Sequence, residues 1–125
     1  MLTWGGSVRI FVCVQPTDMR RGFDRLAATA QEVTHHDPLS GYLFVFLNRR
    51  RNRVKILYWD KSGYCLWYKR LEAGQFHLPA LSLEQESIEL DIGPLTLMLE
   101  GIDLSGARRR KRFSLPDKKP CKKPI

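Results

Sequence analysis

The stretch from Gly41 to Leu71, GYLFVFLNRRRNRVKILYWDKSGYCLWYKRL, limits what this chain can fold into more than any other segment. It holds three runs rich in aromatic and β-branched residues, 42–47, 53–59 and 64–71, and each reads as a strand. The first gap, NRRRN, is polar and basic and suits a hairpin turn of a few residues. The second, Asp60-Lys61-Ser62-Gly63, has Asp at the first turn position and Gly at the fourth, which predicts a type I turn. Three strands joined by two short turns make an antiparallel meander. Tyr42, Phe44 and Phe46 alternate with Leu43, Val45 and Leu47, so both faces of the first strand are apolar and it belongs inside a sheet. In the second, Val54, Ile56 and Tyr58 point one way and Arg53, Lys55, Leu57 and Trp59 the other. In the third, Tyr64, Leu66 and Tyr68 oppose Cys65, Trp67 and Lys69. One arrangement open to these alternations sets Lys55, Trp59, Trp67 and Lys69 on a shared face near an edge; the register that decides it is not readable from sequence.

The same stretch concentrates charge. Arg49, Arg50, Arg51, Arg53, Lys55, Lys61, Lys69 and Arg70 face a single acid, Asp60, a balance of +7 in 31 residues. Tyr58, Trp59, Tyr64, Trp67 and Tyr68 are threaded among them. Cations for phosphate and flat rings for stacking bases are what a nucleic-acid surface needs. The candidate contacts are Arg49, Arg50, Arg51, Arg53, Lys55, Lys69 and Arg70, with Trp59 or Trp67 stacking. The plainer reading is that the rings are core and the arginines coat the surface.

Elsewhere the charge is just as uneven. Residues 1–40 balance four bases against four acids, residues 72–105 carry seven acids and no base, and residues 106–125 carry nine bases against Asp117. The net +8 of the 125-residue chain therefore equals the charge of its C-terminal segment, and the remainder is neutral but polarised. That segment, with Arg108, Arg109, Arg110, Lys111 and Arg112 followed by lysines and prolines, cannot build a core and is expected to be a disordered basic tail after a single domain over 1–105. Nonspecific nucleic-acid contact is its expected role. A single domain of this length buries about two thirds of its unfolded surface. No apolar run approaches the ~20 residues of a membrane span, and the N-terminus lacks the charged and small-residue signals of a secretory leader. Cys13, Cys65 and Cys121 are odd in number and widely spaced, which fits a reducing cytoplasm better than a disulfide framework or a zinc site.

Before the meander, Val8, Ile10, Val12 and Val14 alternate with Arg9, Phe11 and Cys13, a first strand. Thr17 or Asp18 offers an N-cap to a helix running to about Val33, with Met19, Phe23 and Leu26 packed against the sheet and Gly22 inside it. His35 and His36 are adjacent and close to Pro38, so a polar helix end explains them more simply than metal ligation. After the meander, Phe76 is an expected anchor, and Ile88, Leu90 and Ile92 alternate with Glu89 and Asp91 in an acidic-faced strand over 87–92. Pro94 suits the first turn of a short helix burying Leu95, Met98, Leu99 and Ile102.

Catalysis finds little support. Three carboxylates holding two metal ions are needed for the common route of DNA cutting and joining, and the acids here cluster in 72–103, apart from the basic hairpin. Gly-rich phosphate loops, HExxH and Ser/His/Asp signatures are absent from the sequence. No cofactor or metal is expected. The fold expected is α+β, a mostly antiparallel sheet of about five strands with two helices packed on it.

Three motifs carry a family likeness: PTDMRRG at 16–22, LFVFLNRRRNRVKILYWDKSGYCLWYKRLEAGQF at 43–76 and LMLEGID at 97–103. In this order they resemble the TnpB-type accessory protein, the second open-reading-frame product, of IS-sixty-six-like bacterial insertion sequences. The resemblance implies a small protein encoded beside a separate, larger transposase and needed for efficient movement of the element. DNA and that transposase are then the expected partners, with self-association a further option through the basic and acidic surfaces. An adaptor between proteins, touching nucleic acid only through its tail, is the alternative. The basic tail and Gln15 depart from the family pattern. Whether Asp18, Arg20 and Arg21 of the first motif serve folding or function is left open at this level; Asp18 as a helix cap and Arg20 reaching another carboxylate is one account.

Overall fold

Alternation of apolar residues on both sides of 10–14 and 43–47 leaves these segments no exposed face, and they become the centre of a five-stranded sheet. The structure, a computed structural model, describes residues 8–79 and 84–101. The expected tail over 106–125 with Arg108–Arg112, the domain boundary at 105, Ile102 and Cys121 lie outside the described residues. The strands are β1 (Ile10–Cys13), β2 (Leu43–Leu47), β3 (Arg53–Asp60), β4 (Gly63–Arg70) and β5 (Ser87–Leu90), in the spatial order β4-β3-β2-β1-β5. The meander forms as its sequence predicts, with β2 central and buried throughout. β1 and β2 pair in parallel, which requires a crossover. Helix α1 (Phe23–Thr34) supplies it. β5 closes the other side of β1, antiparallel, and runs directly into helix α2 (Ile92–Leu99).

Two cores lie on the two faces of this sheet. On one, α1 presses Leu26, Ala27 and Ala30 onto Phe11, Cys13, Phe44, Phe46 and Leu57. On the other, Leu95, Met98 and Leu99 of α2, with Phe76 and Leu78, cover Ile10, Val12, Val45, Val54 and Ile56. Phe76 is 1% exposed, the anchor its isolated position in a polar loop predicts. Burial pushes the Cys13 thiol up to about 12, so it is a packing group and not a nucleophile.

Four local expectations are corrected. α1 begins at Phe23 with Gly22 as its N-cap, so Gly22 is not inside the helix and neither Thr17 nor Asp18 caps it. Phe23, in the first turn, is 48% exposed and does not pack on the sheet. The Asp60–Gly63 turn is not type I: Lys61, its first central residue, has φ +51, as a two-residue hairpin connection favours because the strands twist right-handed. Ile92 is the first residue of α2 and not the end of β5, and it faces solvent.

Candidate nucleic-acid interface

The antiparallel register decides which cations share a face. Arg53 pairs with Arg70, Val54 with Lys69, Lys55 with Tyr68 and Ile56 with Trp67. Odd residues of β3 therefore stand opposite even residues of β4. Lys55 and Trp59 lie on the α1 side of the sheet, while Trp67 and Lys69 lie on the α2 side, so the shared face set out from sequence does not form.

Both lysines are engaged within the fold. Lys55, only 8% exposed, donates from Nζ to the carbonyl of Met19 at 2.6 Å and of Arg21 at 3.0 Å, and its ammonium lies 5.0 Å from the Tyr68 ring centroid. Lys69 Nζ donates to the Leu99 carbonyl at 2.8 Å, at the C-terminal end of α2, where a cation meets the negative end of the helix dipole. Arg70 pairs with Glu72 at 3.0 Å, and Arg53 donates to the Tyr68 hydroxyl at 3.3 Å.

What Lys55 holds is the loop carrying the PTDMRRG motif. Thr17 N–H donates to the Leu47 carbonyl at 2.8 Å, so the loop is tied to the end of β2 as well as to β3. Within it Asp18 accepts from the backbone N–H of Arg20 and from its guanidinium, at 2.9 Å each. These bonds hold the Asp18 carboxyl at about 2, well below the usual range. The carboxylate that Arg20 reaches is thus its near neighbour in sequence. Arg21 donates to Thr29 Oγ1 at 2.9 Å, anchoring the loop to α1.

Facing this loop is the NRRRN turn. Asn48 Oδ1 accepts from the N–H groups of Asn52 and Arg53 at 3.0 Å each, and its Nδ2 donates to Asn52 Oδ1 at 2.8 Å. Arg51 takes φ +58 in the turn. From behind, Gln75 Nε2 donates to the Arg50 carbonyl and the Phe76 N–H to the Arg51 carbonyl, at 2.9 and 2.6 Å. The backbone is fixed while the Arg49 and Arg50 side chains are left to solvent.

Loop and turn enclose an open groove of about 760 Å³, lined by Arg20, Arg21, Arg49, Arg50 and Arg53 together with Asp18, Asn48 and Asn52. Among the described residues, five arginines stand against one carboxylate in this lining, with the Arg20 guanidinium on Asp18, that of Arg21 on Thr29 and that of Arg53 on Tyr68, so Arg49 and Arg50 are the exposed cations of the turn. Planar guanidinium forks match phosphate oxygens in pairs.

The family model for the IS66 Orf2 like protein matches residues 8–109. The chain belongs to the IS66 Orf2-like family. Among its relatives is the uncharacterized protein y4hO of Sinorhizobium fredii (strain NBRC 101917 / NGR234), 42% identical over 103 residues that span 82% of this chain and 88% of the relative. A second, the uncharacterized protein y4jC of the same strain, is 34% identical over 115 residues, 92% of each chain. No solved structure matches the chain. Both the loop and the hairpin that form the groove lie within the span of the IS66 Orf2-like match.

Sequence reasoning singled out the cations of the hairpin and of the loop separately, without joining them. The sequence marks Thr17 only as a helix-cap candidate and gives no role to Asn48 and Asn52, whose only signal is that asparagines bracket the arginine run. Trp59 stands at the opposite end of the hairpin, edge-on to Tyr64 with ring centroids 5.2 Å apart. Trp67 is half-buried against the α2-side core. His36 stacks on Phe11 at 4.3 Å, while His35 forms the left-handed cap of α1 through its backbone, so the two residues serve different local structures. Among the described residues no group of three or more His, Cys, Asp or Glu side chains is placed to hold a metal ion, and no helix is long and apolar enough to cross a membrane.

Proposed function

We propose that this protein is a non-catalytic accessory factor of insertion-sequence transposition that grips the phosphate backbone of DNA in the groove between residues 16–22 and 48–53. The observation that carries the reading is the convergence of Arg20, Arg21, Arg49, Arg50 and Arg53 on one cleft whose two walls are joined through Lys55. Among the described residues no aromatic ring lines the cleft, which favours backbone contact over base stacking. Phosphate contacts set register and orientation without reading sequence, a fitting property for a factor that assists a separate transposase at the element ends. The basic tail adds a second, nonspecific contact, and the transposase is the protein partner.

Fluorescence anisotropy on element-end and scrambled duplexes across a salt series tests this, with the full chain run beside a truncation ending at Gly106. The truncated body is expected to bind both duplexes, with log affinity falling by ~0.9 per phosphate neutralised for each unit of log salt. Binding by the full chain alone, with none by the folded truncation, would leave the groove without a role in DNA contact and move the search to the transposase as its partner.

A further inference from the structure

Among the described residues the sheet has two outer strands, and they differ in charge and length. β4, at one edge, keeps unbroken register with β3 over eight residues, from Gly63 to Arg70, without bulge or proline. Edges of this kind are ordinarily blunted by charge, proline, bulges or shortness. Here the cations Lys61, Lys69 and Arg70 lie at its ends, and the five residues Tyr64–Tyr68 between them are uncharged. At the opposite edge β5 spans four residues, Ser87–Leu90, with Glu89 inside it and Glu86 and Asp91 on either side, all three exposed.

Strand directions make the two edges complementary. β2 is parallel to β1, β3 antiparallel to β2 and β4 antiparallel to β3, so β4 runs with β1; β5 runs against β1. A second copy laid beside the first in the same orientation therefore brings its β5 antiparallel against β4. Residues directly opposite must also lie on the same face. Setting Glu86 opposite Lys69 places Ile88 opposite Trp67 and Leu90 opposite Cys65, all on the α2 side. Ile88 and Trp67 are half-buried members of the α2-side core in their own molecule, so the pairing would carry that core across the junction. Lys69 spends one N–H on Leu99, and an ammonium has three.

We propose that this chain assembles head to tail with copies of itself, β4 of one molecule adding β5 of the next to a continuous sheet. Such a contact uses different surfaces on its two partners and does not close at two copies, so it grows into an open chain. It needs no DNA, and no residue of β4 or β5 is among those that line the groove.

The test is the mass of the full chain in solution by analytical ultracentrifugation, over a concentration series at low and high salt, with two edge variants. One carries Glu86→Arg and Asp91→Lys on the β5 side; the other carries Tyr68→Glu and Arg70→Glu on the β4 side. The wild type is expected to grow in mass with concentration beyond a dimer, more so at low salt. Each variant alone is expected to stay monomeric, and an equal mixture to associate, since the intact β4 edge of one meets the intact β5 edge of the other. A wild type that remains monomeric or stops at a closed dimer overturns the proposal, as does assembly of either variant alone or a folded mixture that stays monomeric. Should a variant fail to fold by circular dichroism, amide exchange of the wild type decides: protection of 64–68 and 87–90 that rises with concentration supports the contact, and unchanged protection refutes it.

Discussion

The two turns of the β2–β3–β4 meander sit at opposite ends of the same strands and do opposite things. The 48–52 turn is pinned by its own asparagines and by residues 71–76, and it faces a second basic loop across a groove. The 60–63 turn is a two-residue connection in which Asp60 and Lys61 offset each other, beside the edge-to-face pair of Trp59 and Tyr64. In the sequence the whole hairpin, cations and rings together, suits nucleic acid. Among the described residues, only at the first turn does a second basic segment converge. Richness in arginine or tryptophan is a local property, whereas a site needs two elements held at a fixed distance, and here Lys55 and Thr17 hold them.

Breaking that link should give the largest effect. Lys55→Met removes the charged donor to the Met19 and Arg21 carbonyls while keeping the length of the stem. We expect about 2 kcal/mol of lost stability in chemical denaturation, together with weaker DNA binding although every groove arginine remains. Retained affinity would show that the loop is held without Lys55. Trp67→Ala, which opens the α2-side core, should also cost about 2 kcal/mol, yet leave DNA affinity per folded molecule unchanged. A large loss of affinity there, or in Trp59→Ala, would restore aromatic stacking to the account.

A smaller effect is expected at Asp18. Its folded-state carboxyl titrates at about 2, below the ~3.9 of an unstructured Asp. The contribution of its bonds to stability is therefore complete above the unfolded value and is lost as pH falls from about 4 to about 2. Asp18→Asn should flatten that part of the acid-denaturation curve and, by removing the one carboxylate of the groove, tighten DNA binding at neutral pH. Weaker binding by this variant would mean that Asp18 holds Arg20 in the orientation that phosphate requires.

The fold was more legible than the site, for reasons that particular residues show. Alternating β-branched and aromatic residues fixed the three meander strands, and apolar residues on both sides of 43–47 placed that strand in the interior. The start of α1 misled because Thr17 and Asp18 have the chemistry of a helix cap; Asp18 instead caps the turn of its own loop. The turn at Lys61 misled because Asp and Gly at its ends fit several turn types, and the twist of the flanking strands chose among them. Lys55 and Lys69 looked alike along the chain, but a register pairing 53 with 70 put them on opposite faces. The acceptors of Lys55 lie more than thirty residues away, and no local pattern announces such a bond.

The most direct test of the comparison equalises charge and changes only position. Salt dependence of DNA binding is measured for the wild type, Arg49→Ala in the groove turn and Lys61→Ala in the opposite turn, each variant losing one positive charge. If the groove grips phosphate, Arg49→Ala lowers the slope of log affinity against log salt by ~0.9, while Lys61→Ala leaves the slope at the wild-type value. Equal reductions in both variants would contradict the account, because DNA would then be responding to net charge and not to the groove.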